Sequence, residues 1–260
     1  MSERLDLTAQ AEESHFWYHG FRGFLTPILD CVAAGRKGLR VIDCGAGTGH
    51  NLTLLGAYGR VFPFDLDPTA LTKARAAGAP MVRANVTHIP FRSNSFDIAT
   101  SFDMLMMVPD VEGAVREVAR VLKPGGAIVF TLPALEVLRG DHAEIWHELV
   151  RYTPSSARAL LTQAGLEVER VSFLFASLFP LMLVTRTLER WTRRFRRAPS
   201  ADGDIGMPSP LVNAVLTAIV VGEAWLARHV PMPVGSSLLM VARKPVGGDR
   251  VIPASASAAR

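Results

Sequence analysis

Val41-Ile42-Asp43-Cys44-Gly45-Ala46-Gly47-Thr48-Gly49-His50-Asn51 decides the fold. Apolar residues run into an acid, three glycines follow at alternate positions, and an apolar segment begins at Leu52. That order reads as a strand, a tight turn and the start of a helix. Glycine has no Cβ and tolerates positive φ, so such a turn lets a ligand touch the backbone. The unpaired N–H groups of the following helix point into the same space. A glycine turn without a ligand would share the pattern, and a lone glycine motif is weak. The neighbouring segments must decide.

Working outward, short apolar runs alternate with helical patterns. Leu39 to Asp43 is a continuous apolar run, as in a buried parallel strand. Asn51 to Tyr58 reads as a helix closed by Gly59, and Val61 to Asp65 as the second strand, with Pro63 demanding a bulge or a frayed stretch. Asp67 caps a helix from Pro68 to Ala77. Met81 to Ala84, Phe96 to Thr100 and Ala127 to Leu132 are the next strands; Asp110 caps the helix before Lys123-Pro124-Gly125-Gly126. Thr153 and Pro154 open a further helix, which Gly165 closes. The alternation predicts an α/β fold with a doubly wound, mostly parallel, seven-stranded sheet.

The last two strands, Leu166 to Val171 and Ser237 to Arg243, are separated by roughly 60 residues. The interval holds Phe173 to Val184, nearly all apolar, then Arg186 to Arg197, with six arginines against Glu189. A Gly/Pro/Ser-rich loop over 199–208 precedes a second apolar helix, Pro210 to Arg228. A basic helix with an apolar stripe lies on membrane surfaces; a hairpin packed on the core, its arginines in water, gives the same pattern. At the other end, Glu13-Ser14-His15-Phe16-Trp17-Tyr18-His19-Gly20 is aromatic enough to be an anchor or a lid, and Phe21 to Ala34 reads as a helix bent or restarted at Pro27. The divisions are 1–36, an N-terminal cap; 37–172 with 236–246, the core; 173–235, a helical insertion; and 247–260, a disordered tail.

The net charge of +4 does not call for nucleic acid. Cys31 and Cys44 give neither a disulfide framework nor metal spacing, and His142 and His147 lack a ligand set. The first ten residues lack an apolar signal region, and no stretch reaches 18 clean apolar residues. A cytoplasmic protein is expected, with peripheral membrane contact through the insertion.

Asp43 argues for the ligand. The dinucleotide fingerprint is G-x-G-x-x-G around a pyrophosphate. Here the spacing is G-x-G-x-G, with an acid two residues ahead, which repels a pyrophosphate and suits an ammonium or sulfonium. The pattern D-x-G-x-G-x-G over Asp43 to Gly49 resembles motif I of the class I S-adenosylmethionine (SAM) methyltransferases. Asn85 to Phe91 with Asn94-Ser95-Phe96-Asp97 is similar to that family's adenine-side segment, with Asn85 in place of its Asp. The K-P-G-G turn resembles the approach to strand five, and the segment around His15 and Trp17 resembles an E-x-x-H-x-W run in methyltransferases of unassigned substrate. The resemblance spans about residues 38–172.

It implies that SAM is the cofactor. Asp43, Gly45, Ala46, Gly47 and Gly49 would hold the methionine part, Asp65 with Leu66 the ribose, and Asn85 with Val86 the adenine. Asp65 also lies 20 residues after Gly45, the distance at which an acid receives ribose hydroxyls. Ser101, Phe102 and Asp103 end the fourth strand and would face the methyl group. Trp17, Asp103, His142 and Arg151 are acceptor-side candidates. His147, then Tyr152, are candidate bases for an acceptor that must lose a proton. The insertion points to a hydrophobic or anionic acceptor, a small molecule, glycan or lipid-linked compound. The alternatives are an NAD(P)-dependent oxidoreductase and a non-catalytic, membrane-associated binding protein of the same fold.

Overall fold

The computed structural model describes residues 11–247 except 77, 79, 142, 144–145 and 194–206. The candidate His142, the arginines from Arg194 to Arg197 and the tail from 248 onward lie outside the described residues. The elements are α1 (Phe16–Ala33), β1 (Leu39–Cys44), α2 (Leu52–Gly56), β2 (Gly59–Asp65), α3 (Pro68–Ala76), β3 (Val82–Arg83), β4 (Phe96–Phe102), α4 (Val111–Val121), β5 (Leu122–Pro133), α5 (Pro154–Gln163), β6 (Glu167–Leu174), α6 (Phe179–Arg193), α7 (Pro210–Leu226) and β7 (Ser237–Arg243). One seven-stranded sheet runs β3-β2-β1-β4-β5-β7-β6, and β7 is antiparallel to both neighbours. The strand order reverses between β1 and β4, where open α/β sheets bind ligands beyond the strands' carboxyl ends.

Burial explains the strand sequences. Val41, Ile42 and Cys44 of β1, and Ile98 and Ala99 of β4, are fully enclosed, so both faces of the central strands carry apolar residues. The caps form as their residue types dictate: Asp67 accepts from Thr69 N–H at 2.8 Å, Asp110 from Gly113 N–H at 2.8 Å, and Thr153 shares a reciprocal box with Ser156.

Several local expectations change; among them, Lys123-Pro124-Gly125-Gly126, read as a turn, lies within β5. Gly59 does not close a helix but opens β2; a Cβ there would lie 2.0 Å from the carbonyl oxygen of Leu39, so the paired strand itself requires glycine. Pro63 causes no bulge: its register with Asp43 is regular, and β3 pairs with β2 only at Phe64 and Asp65. Over Gly59 to Pro63, β2 is therefore an edge, where proline is tolerated. Helix α1 begins at Phe16 rather than Phe21, because His15 caps it, its Nδ1 accepting from Trp17 N–H at 3.2 Å. It runs unbroken through Pro27.

The insertion packs on the N-terminal helix. Gly20 and Gly23 of α1 face Val220 and Ala224 of α7; a Cβ on Gly20 would come within 2.7 Å of Val220. Asn213 ties the upper ends together, accepting from Phe16 N–H at 2.9 Å and donating to Ser14 C=O at 2.8 Å. Glu223 of α7 is buried and accepts from the N–H groups of Ala176 and Ser177 at 2.7 and 2.8 Å, at the root of α6. Arg186 is not in water: it is buried, paired with Glu189 at 2.7 Å, and packs where a side chain on Gly140 would stand.

Candidate active site

The glycine turn joins β1 to α2 at the carboxyl edge of the sheet. Gly45, Gly47 and Gly49 have φ of 76°, 54° and 84°, a region open to glycine. Two of them differ in what surrounds them. A Cβ on Gly45 would sit 2.3 Å from Met104 Cγ, whereas one on Gly47 would meet nothing within 4 Å. Gly45 lets protein pack closely; Gly47 borders open space.

Asp65 holds this turn. Its carboxylate accepts from Gly47 N–H and from Asp67 N–H, both at 2.9 Å, and so couples the ends of β1 and β2. Leu66, next to it, is 56% exposed, an apolar side chain displayed at the site rather than in the core. Val86 is buried; Asn85 is exposed, its Oδ1 accepting from Thr87 N–H at 3.0 Å. Asp43 is buried beneath the turn and accepts from Thr100 Oγ1 at 2.6 Å. Burial raises its pKa to about 6, against the lowering by Thr100, and the charge of Asp65 adds to the rise.

The N-terminal segment closes on the same turn. Thr48 Oγ1 donates to Glu12 at 2.6 Å, and Arg22 donates to the Glu12 carbonyl at 3.0 Å. Trp17 stacks on buried Phe175 with ring centroids 3.8 Å apart. Trp17 thus fastens the aromatic cluster to the core, while Glu12 ahead of it reaches the turn.

A second set of groups gathers at the ends of β4 and β5. Asp103 follows β4 with φ 55°, its N–H donating to the carbonyl and hydroxyl oxygens of Thr131 at 3.2 and 3.1 Å. Its Oδ1 is shut off from solvent without a hydrogen-bond partner among the described residues. Burial raises the Asp103 pKa to about 6; Thr131 lowers it, Glu148 raises it and Arg151 lowers it. Glu148 and Arg151 form a buried ion pair at 2.6 Å, and Arg151 also donates to the Ala134 carbonyl at 3.1 Å. The segment carrying them is pinned by Leu149 N–H to Met106 C=O at 2.9 Å and Tyr152 N–H to Pro133 C=O at 2.9 Å. Tyr18 of α1 completes the set; burial raises its pKa, and Glu12 and Asp103 add to the rise.

The candidates separate accordingly. Asp43, Gly45, Ala46, Gly47, Gly49, Asp65 and Leu66 surround one turn, and Ser101, Phe102, Asp103 and Arg151 lie along the ends of β4 and β5. Ser101 Oγ is buried without a partner among the described residues, and Phe102 packs edge-on against Phe21 at 5.6 Å. His147 is exposed on a left-handed turn at φ 52°. Tyr152 is buried, its hydroxyl without a hydrogen-bond partner among the described residues. Sequence reasoning did not single out Glu12, Tyr18, Thr100, Thr131 or Glu148. Tyr18 lay inside the aromatic run, but nothing local linked Glu148 to Asp103.

Comparison with known proteins bears on this geometry. Residues 42–130 match the methyltransferase domain family. The C-methyltransferase UbiE of ubiquinone/menaquinone biosynthesis from Shewanella frigidimarina is 39% identical over 124 residues, covering 42% of this chain and 49% of that protein. Its counterpart from Shewanella oneidensis is 38% identical over the same span. The chain thus spans about half the length of the curated relatives it matches. Among solved structures, a chain of the complex between the Haloferax volcanii Trm112 methyltransferase activator and a methyltransferase aligns with TM-score 0.60 and 21% identity over 95% of this chain and 96% of that one. Phosphoethanolamine N-methyltransferase 2 from Haemonchus contortus, solved with S-adenosyl-L-methionine, gives 0.55 and 16% over 84% of this chain and 51% of that one. The [4+2]-cyclase SpnF gives 0.54 and 21% over 86% and 81%, so the fold by itself does not dictate the reaction. The family match, however, begins at Ile42 and ends at Phe130, taking in the glycine turn, the Asp65 end of β2 and all of β4: over these residues the chain carries a methyltransferase domain of the class I SAM-dependent kind.

Proposed function

We propose that this protein methylates a hydrophobic acceptor whose reacting atom is activated by loss of a hydroxyl proton, as in a hydroquinone ring, with SAM as methyl donor. The residues fit that cofactor: Gly47 leaves open the space a side chain would fill, and exposed Leu66 and buried Asp43 flank the same turn. Asp43 and the glycine-turn backbone would hold the methionine part, Asp65 with Leu66 the ribose, and Asn85 with Val86 the adenine. When bound, SAM supplies an electrophilic methyl group and its own leaving group.

The observation that carries the acceptor reading is the enclosed, unpartnered Oδ1 of Asp103 at the carboxyl end of β4. With a pKa near 6, this carboxylate is ionised at neutral pH and basic enough to take the acceptor's hydroxyl proton. Glu148 and Arg151 fix its surroundings: one raises its basicity, the other keeps a second negative charge neutralised. Tyr18, with its raised pKa, stays protonated and able to donate to the acceptor oxygen. Enclosure by α1 keeps water from the reacting atoms. The quinone-directed name of the UbiE relatives supports a quinol-type ring. Incubation with methyl-labelled SAM and a short-chain demethylated hydroquinone should place label on the ring; label transferred only to amines such as phosphoethanolamine would overturn the reading.

Asp65→Ala should weaken SAM affinity by about 10- to 100-fold, from loss of charge-assisted hydrogen bonds of about 1.5–3 kcal/mol. Because Asp65 also fastens Gly47 and Asp67, the variant should show a lowered Tm without SAM as well. Calorimetric titration with wild-type affinity in the folded variant would remove Asp65 from the site.

A further inference from the structure

The outer faces of α6 and α7 are apolar, exposed and bordered by arginine. On α6, Leu181, Val184, Leu188 and Trp191 recur at helical spacing and each is more than half exposed, Trp191 at 60%. On α7, Leu211, Val212, Val215 and Ile219 continue to Trp225 and Leu226, with Leu211 at 76% and Trp225 at 61%. Soluble monomers seldom display so many exposed large apolar side chains on two helices. The acids of these helices are turned away from it: Glu223 accepts from the α6 root, and Glu189 pairs with Arg186. Exposed Arg190 and Arg228 border the faces.

We propose that these faces dock the protein onto an anionic lipid bilayer, with α6 and α7 lying in the plane of the interface. Charge and composition select this occupant. Arginines beside exposed Leu, Val and Ile match lipid phosphates beside acyl chains, and Trp191 and Trp225 are of the residue type that favours the headgroup level. An isologous dimer through the same faces would set each arginine border near its own copy, which like charge opposes. No helix among the described residues is long and apolar enough to cross a membrane, which leaves in-plane contact. Helix α6 contacts the turn Glu136–Leu138 that follows β5, so docking would bring the site's rim to the lipid surface. The inference goes beyond the methyltransferase reading and does not depend on it.

Vesicle flotation with the whole chain, without cofactor, tests it. The probes are phosphatidylcholine vesicles with and without phosphatidylglycerol. Wild type should float with the anionic vesicles, bind neutral ones more weakly and lose binding as salt rises. Arg190→Gln with Arg228→Gln should weaken binding by about fivefold per arginine. Leu188→Ser with Trp191→Ser should weaken it with unchanged circular dichroism and unchanged SAM binding. Negligible flotation of wild type with both vesicles, or a concentration-dependent dimer that the Leu188/Trp191 variant abolishes, would overturn the proposal.

Discussion

Asp103→Asn lowers kcat by about 10²- to 10⁴-fold, the usual contribution of a positioned general base. The substitution keeps shape and removes basicity. In the wild type, kcat/KM should rise with pH through about 6, where Asp103 loses its proton; in Asp103→Asn that limb should vanish. A stability measurement separates this from mere unfolding. Burial raises the folded-state pKa above the ordinary value of 3.8. The stability tied to the protonated form is therefore complete below about 4 and lost as pH rises through about 6. Asparagine resembles the neutral carboxyl, so the variant should be at least as stable as wild type at pH 7. A variant with lost activity, wild-type stability and an unaltered pH profile in the residual rate would contradict a base role.

Gly47→Val should weaken SAM binding by about 100-fold or more while the fold survives. The valine Cβ enters space where no protein atom lies within 4 Å. The left-handed φ of 54° adds backbone strain of about 1–2 kcal/mol. Gly45→Ala is the contrasting substitution: its Cβ meets Met104, so it should lower stability by about 1–3 kcal/mol first and affinity second. Thermal melts with and without SAM distinguish them. Gly47→Val should lose the SAM-induced rise in Tm with a modestly lowered Tm alone, whereas a retained rise would mean that the turn faces away from the ligand.

The sheet was legible because its determinants are local. Each central strand is a short apolar run, Asp67, Asp110 and Thr153 are capping residues of a standard type, and Asp43 with the three glycines marks the switch point. What escaped depends on contacts distant in sequence or on an unusual local choice. His15 caps α1 with an imidazole, so the expected start fell five residues late. Gly59 followed a helical pattern, but the approach of Leu39 makes it a strand residue. Arg186 read as solvated because its cover comes from Gly140, far along the chain. Asp103 was legible as a strand-end residue; its nearness to the charges of Glu148 and Arg151 was not, since 45 residues separate Asp103 from Glu148. His147 drew attention by its chemistry and is exposed.

The most direct test of the cofactor site is isothermal titration of the wild-type chain with SAM, S-adenosylhomocysteine, NAD and NADP. Saturable one-to-one binding of SAM and S-adenosylhomocysteine, with no heat from either dinucleotide, is the predicted result. Binding of NADP without binding of SAM would contradict the account.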